Sequence, residues 1–73
     1  MKTYIVLIEY GDYDDRETAV HHVCNDPKEA AIKGLEALKH PSTNYSQIEV
    51  WHKGKRIKEI DQCHFKSIAG IKK

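Results

Sequence analysis

Seventy-three residues, 40% hydrophobic and 32% charged, fit one small globular domain and exclude both a disordered chain and a multidomain protein. A formal net charge of +1 argues against a dedicated nucleic-acid binder, but it hides a polarity. Residues 1–26 carry six acids against only Lys2 and Arg16, whereas residues 51–73 carry seven bases against only Glu59 and Asp61.

Oppositely charged surfaces on one small domain steer contacts with partners, including a second copy of the same chain. No apolar run approaches the roughly 20 residues that span a bilayer. Lys2 is the only base ahead of the strand-sized run Tyr4 to Ile8, and no small-residue cleavage site follows it, so no secretory leader is expected. The expected location is cytoplasmic, with Cys24 and Cys63 as reduced thiols.

Thr3 to Tyr10 is rich in β-branched and aromatic residues and apolar on both alternating faces, which predicts a strand in the middle of a sheet. Gly11 to Arg16 supplies turn chemistry, and Glu17 to Cys24 resumes an extended pattern, so the two strands form a hairpin with a long acidic loop. Asp26, Pro27 and Glu29 then read as N-cap, first helical residue and capping-box acid. Ala30, Ala31, Gly34, Leu35, Ala37 and Leu38 make one face of the helix, with Glu29, Lys33 and Glu36 opposite. His40-Pro41 ends it.

After a polar linker over residues 41–46, Gln47 to His52 alternates Ile48 and Val50 against Glu49 and Trp51. Lys53-Gly54 turns the chain into a last strand over residues 55–61. Residues 62–73 form a tail in which Phe65, Ile68 and Ile71 recur every third position. The expected fold is α+β, a single domain over residues 1–73: ββαββ, a four-stranded antiparallel sheet in order 2-1-3-4 with one helix on one face. That helix covers only one side of the sheet. The other requires either the tail or a second molecule.

Candidate chemistry is sparse. His21, His22, Cys24, His52, Cys63 and His64 are donor atoms of the right kind for zinc, and His22 and Cys24 share a face on an extended strand. Neither cysteine has a cysteine nearby, so no metal and no cofactor is expected. Alternating acids over residues 12–17 lack the central glycine and distal glutamate of a calcium loop. Cys63 and His64 are adjacent and point apart on an extended chain, and no nucleophile elbow, phosphate loop or metalloprotease helix is present. An enzyme is not expected.

Two surfaces remain. Asp12, Tyr13, Asp14 and Asp15, together with Trp51, are the candidate protein-binding residues: acids dock on a basic surface and exposed aromatic rings anchor interfaces. Trp51, Lys53, Lys55, Arg56 and Lys58 are the alternative, a nucleic-acid surface in which bases contact phosphate and the indole stacks. Lysines on an edge strand equally serve to discourage sheet-to-sheet aggregation. The leading expectation is a noncatalytic, self-associating protein-binding module that acts by docking on or occluding a macromolecular partner, with no membrane role. In size, charge sorting and lack of catalytic motifs the chain is similar to the small host-directed inhibitor proteins made by bacteriophages, a likeness of type that no motif carries.

Overall fold

A computed structural model describes residues 2–12 and 14–70, with the side chain of Asp12 outside that set. The chain runs β1 (Thr3–Asp12), β2 (Asp15–Cys24), α1 (Pro27–Leu38), β3 (Thr43–His52), β4 (Lys55–Asp61), one 3₁₀ turn (Gln62–His64) and a short helix α2 (Phe65–Ala69). The sheet order is β2-β1-β3-β4 and every neighbouring pair is antiparallel, the expected ββαββ topology. Among the described residues, no helix is long and apolar enough to cross a membrane.

β1 lies inside the sheet because its side chains are apolar on both faces. On the helix side, Val6 is fully buried between Ile48 of β3 and the small residues Ala30 and Ala31 of α1. Ser46 is the buried polar residue of this layer, and it is satisfied: its hydroxyl donates to the Leu7 carbonyl at 2.8 Å, and its N–H donates to Gln62 Oε1 at 3.0 Å. The start of α1 is fixed as the sequence requires, with the Asp26 carboxylate accepting from the Lys28 N–H at 3.0 Å and Pro27 in the first turn.

The tail takes its place on the helix side. α2 packs against α1, and Phe65 is fully buried there. Gly34 makes room for it: a Cβ at that position would stand 2.4 Å from the Phe65 ring. The short helix stops at Gly70, whose left-handed backbone (φ 77°) caps it. Phe65 and Ala69 therefore belong to the first core and not to a cover for the second face, while Ile71 lies outside the described residues.

Two boundaries differ from the sequence reading. The first hairpin has a two-residue connection, because the strands continue to Asp12 and from Asp15, and these two residues pair. Gly11 permits the closure: its backbone has φ 113°, and a Cβ there would lie 2.2 Å from the Asp15 carbonyl oxygen. β3 also begins at Thr43, inside the expected linker, where Asn44 is passed over by the register between β1 and β3 and its side chain donates to the Gly11 carbonyl at 3.1 Å. The second hairpin turns on Lys53-Gly54, both with positive φ (52° and 78°), the geometry of a two-residue type I′ turn.

Candidate functional site

Directly opposed residues in a ladder share a face, so the register defines the side of the sheet that no helix covers. Ile5 is opposite Val23 on one side and Glu49 on the other; Leu7 is opposite Val20 and Gln47. Val20 and Val23 are an odd number of residues apart and would normally face opposite ways. A bulge resets the phase: Val6 pairs with His22 and Leu7 with Val20, leaving His21 as the extra residue. Both valines thus join Ile5 and Leu7, and they are 59% and 54% exposed.

Trp51 lies on the same face, opposite Thr3 and Arg56, with its indole N–H donating to Glu49 Oε1 at 3.1 Å. It is half-buried, with an apolar body beside the aliphatic patch and its polar atom satisfied. Charges on this face are grouped around two arginines, with Glu59 in excess beside Arg56. Arg16 lies 3.6 Å from Glu9, and Arg56 lies 3.1 Å from Glu49 and 3.7 Å from Glu59.

Tyr45 donates to Asp61 Oδ1 at 2.5 Å, and Asp61 also accepts the Gln62 N–H at 2.8 Å at the start of the 3₁₀ turn. This bond, reinforced by desolvation and by nearby negative groups, pushes the Tyr45 phenol up to about 12 from its ordinary 10.0. The fold favours the protonated phenol. Its contribution is complete below pH 10, where both states hold the proton, and is lost as pH rises from 10 to about 12, where the unfolded chain gives it up first. Over that window the wild-type stability is expected to fall more steeply than that of Tyr45→Phe, measured as urea midpoints. Parallel curves would contradict this.

The structure separates residues that the sequence placed in one set. Asp14 and Asp15 are exposed at the β1–β2 tip, whereas Trp51 pairs with Thr3 at the other end of β1, nine residues or roughly 30 Å away. Tyr13 and the side chain of Asp12 lie outside the described residues. Lys53 sits in the β3–β4 turn, at the Trp51 end, so the acidic and basic groups occupy diagonally opposite corners of the sheet.

The basic set does not share a surface. Arg56 is beside Trp51 on the open face and already held by two carboxylates, while Lys58 is opposite Val50 on the helix side. All of Lys55, Arg56 and Lys58 are exposed along β4, an outer strand.

On the helix side, Ile8, Tyr10, His21, Glu36, Ala37 and His40 line a groove of about 400 Å³. Its nearest approach to catalytic chemistry is His40 with Ser42. The imidazole Nδ1 meets Ser42 Oγ at 2.7 Å and accepts the Ser42 N–H at 3.3 Å, which ties together the turn after α1. Cys63 and His64 are both exposed in the 3₁₀ turn.

The register puts Ile5, Leu7, Val20, Val23 and Trp51 on one face, and it is the two valines that the sequence left without an address there. Their hidden signal was the bulge, which strict alternation cannot show. No protein-family model, curated protein or solved structure gives a significant match to this chain.

Proposed function

We propose that the chain is a noncatalytic binding module that self-associates by stacking its uncovered sheet face on the same face of a second copy. The observation that carries this reading is the position of the tail: Phe65 and Ala69 are buried with α1, and the patch of Ile5, Leu7, Val20, Val23 and Trp51 has no cover from the described chain. The size is suitable. Strands about 4.8 Å apart, three of ten residues and one of seven, present a plane on the order of 600 Å², before side-chain relief is counted, against roughly 800 Å² per partner in a stable complex.

Charge selects the arrangement. A two-fold axis across the strands brings the acidic-tip end of one copy onto the basic-turn end of the other, two strands to the side, whereas an axis along the strands gathers both acidic tips at one end. The antiparallel stack is therefore favoured, with the pairs Glu9–Arg16 and Glu49–Arg56 covered and Glu59 on the outer strand β4. Asp14 and Asp15 stay at the ends, available to a macromolecular partner on which the module docks or which it occludes. The nucleic-acid alternative draws less support, since Lys58 and Arg56 lie on different sides of β4.

Sedimentation velocity over a concentration series is the test. The wild type is expected to sediment as a dimer at tens of micromolar, and Val20→Asp as a folded monomer, because a carboxylate on the patch would be buried without a partner. A wild type that stays monomeric throughout, or a Val20→Asp protein that associates equally well, overturns the reading.

A further inference from the structure

On the helix side of β2, at its C-terminal end, three side chains of different chemistry converge. His22 and Cys24 are two residues apart on an extended strand and share a face. Asn25 and Asp26 alone connect the strand to α1, so the third residue of the helix, Glu29, is brought back beside them. One imidazole nitrogen, one sulfur and one carboxylate oxygen lie within 4.8 Å of one another, and His22 Nε2 is 2.7 Å from Glu29 Oε2. The Cys24 thiol donates to the Asp26 carbonyl at 3.4 Å.

Glu29 stands where a capping-box acid would fold back onto the Asp26 N–H. Its Oε2 is instead directed at the strand. The helix start is held by the Asp26 carboxylate, leaving the Glu29 carboxylate for the cluster.

We propose that His22, Cys24 and Glu29 form a zinc site of pattern H-x-C-x₄-E. The donor set is borderline in softness: imidazole and thiolate disfavour calcium and magnesium, and a lone carboxylate among them is compatible with zinc. Bond lengths of about 2.0–2.1 Å to nitrogen and oxygen and 2.3 Å to sulfur, at tetrahedral angles, separate the donors by roughly 3.3–3.6 Å. The ion replaces the hydrogen bond between His22 and Glu29, whose atoms move apart by less than about 1 Å, and the thiolate closes by little more than that.

Coordination requires the thiolate, so the Cys24 proton passes to solvent and binding becomes tighter as pH rises. Three protein ligands leave a fourth position for water. All three lie within eight residues of chain, so little loop entropy opposes their assembly. The site is on the opposite side of the sheet from the Val20–Val23 patch, so it does not depend on self-association.

Cobalt(II) in oxygen-free buffer is the spectroscopic probe. One equivalent is expected to give a thiolate-to-cobalt charge-transfer band that excess zinc removes. Cys24→Ser abolishes the band, His22→Gln and Glu29→Gln raise the apparent Kd at least tenfold, and Cys63→Ser leaves it intact. A second measurement needs no variant: zinc should slow iodoacetamide alkylation of Cys24 tenfold or more in the wild type, with exposed Cys63 as the internal standard. Absence of the band at millimolar cobalt, its survival in Cys24→Ser, or equal alkylation of Cys24 with and without zinc overturns the assignment and leaves a His22–Glu29 clamp between strand and helix.

Discussion

Phe65→Ala is expected to remove about 3–5 kcal/mol of stability. At roughly 0.1 kcal/mol per residue, a domain of this size has only about 7 kcal/mol in total. Among the described residues the ring is the largest fully buried side chain, and it fills the notch that Gly34 leaves on α1. Emptying the notch leaves a cavity in the core that α1 and α2 share.

The same geometry predicts a coupling. Gly34→Ala in the wild type gains about 1 kcal/mol of helix propensity but meets the ring at 2.4 Å, an overpacking that costs about 1–3 kcal/mol. The net effect runs from neutral to about 2 kcal/mol destabilising. In the Phe65→Ala background the clash is gone, and Gly34→Ala should become stabilising by up to about 1 kcal/mol. Urea unfolding of the four proteins provides the test. Additive effects of the two substitutions would show that Gly34 and Phe65 do not share the space assigned to them.

Trp51→Ala has the largest expected effect on association. Trp51 stands at one end of the patch, and an aromatic anchor buried on association is typically worth at least 2 kcal/mol on truncation, or about thirtyfold in the dimer dissociation constant. Loss of the indole also releases Glu49 from one of its partners, although Arg56 keeps it neutralised at 3.1 Å. The monomer's own stability should change much less, because Trp51 lies outside the buried core of the helix side. Sedimentation reads the first effect and unfolding at low concentration the second. Intact association with a large loss of monomer stability would make Trp51 a fold residue and not an interface residue.

How far the sequence reveals this molecule varies by element. β1 is legible because apolar residues on both faces admit only an interior strand, and α1 because Asp26-Pro27 fixes its start and His40-Pro41 its end. The order β2-β1-β3-β4 follows from these and from crossover handedness. The side taken by the tail is not legible: Phe65, Ile68 and Ile71 fit either face by spacing, and the choice is made by a notch at Gly34 that is visible only in three dimensions.

The binding surfaces are less legible still. Alternation places Ile5 and Leu7 correctly but fails for Val20, since one unpaired residue, His21, inverts the phase of β2. Glu29 is hidden for a different reason: its position already has a local explanation as a capping acid, and only the two-residue connection Asn25-Asp26 brings it to His22.

The bulges also bear on how association ends. Both outer strands depart from regular pairing, β2 at His21 and β4 at Ile57, which the register skips between Lys58 and Arg56. A kinked edge is a poor template for a further strand, and on β4 Lys55 and Lys58 add charge to it. Growth by edge pairing has no natural end and leads to fibres, whereas face-to-face stacking consumes the one adhesive surface of each copy and closes at two. In a chain that leaves apolar residues on an open sheet, the irregular edges thus restrict assembly to a finite particle.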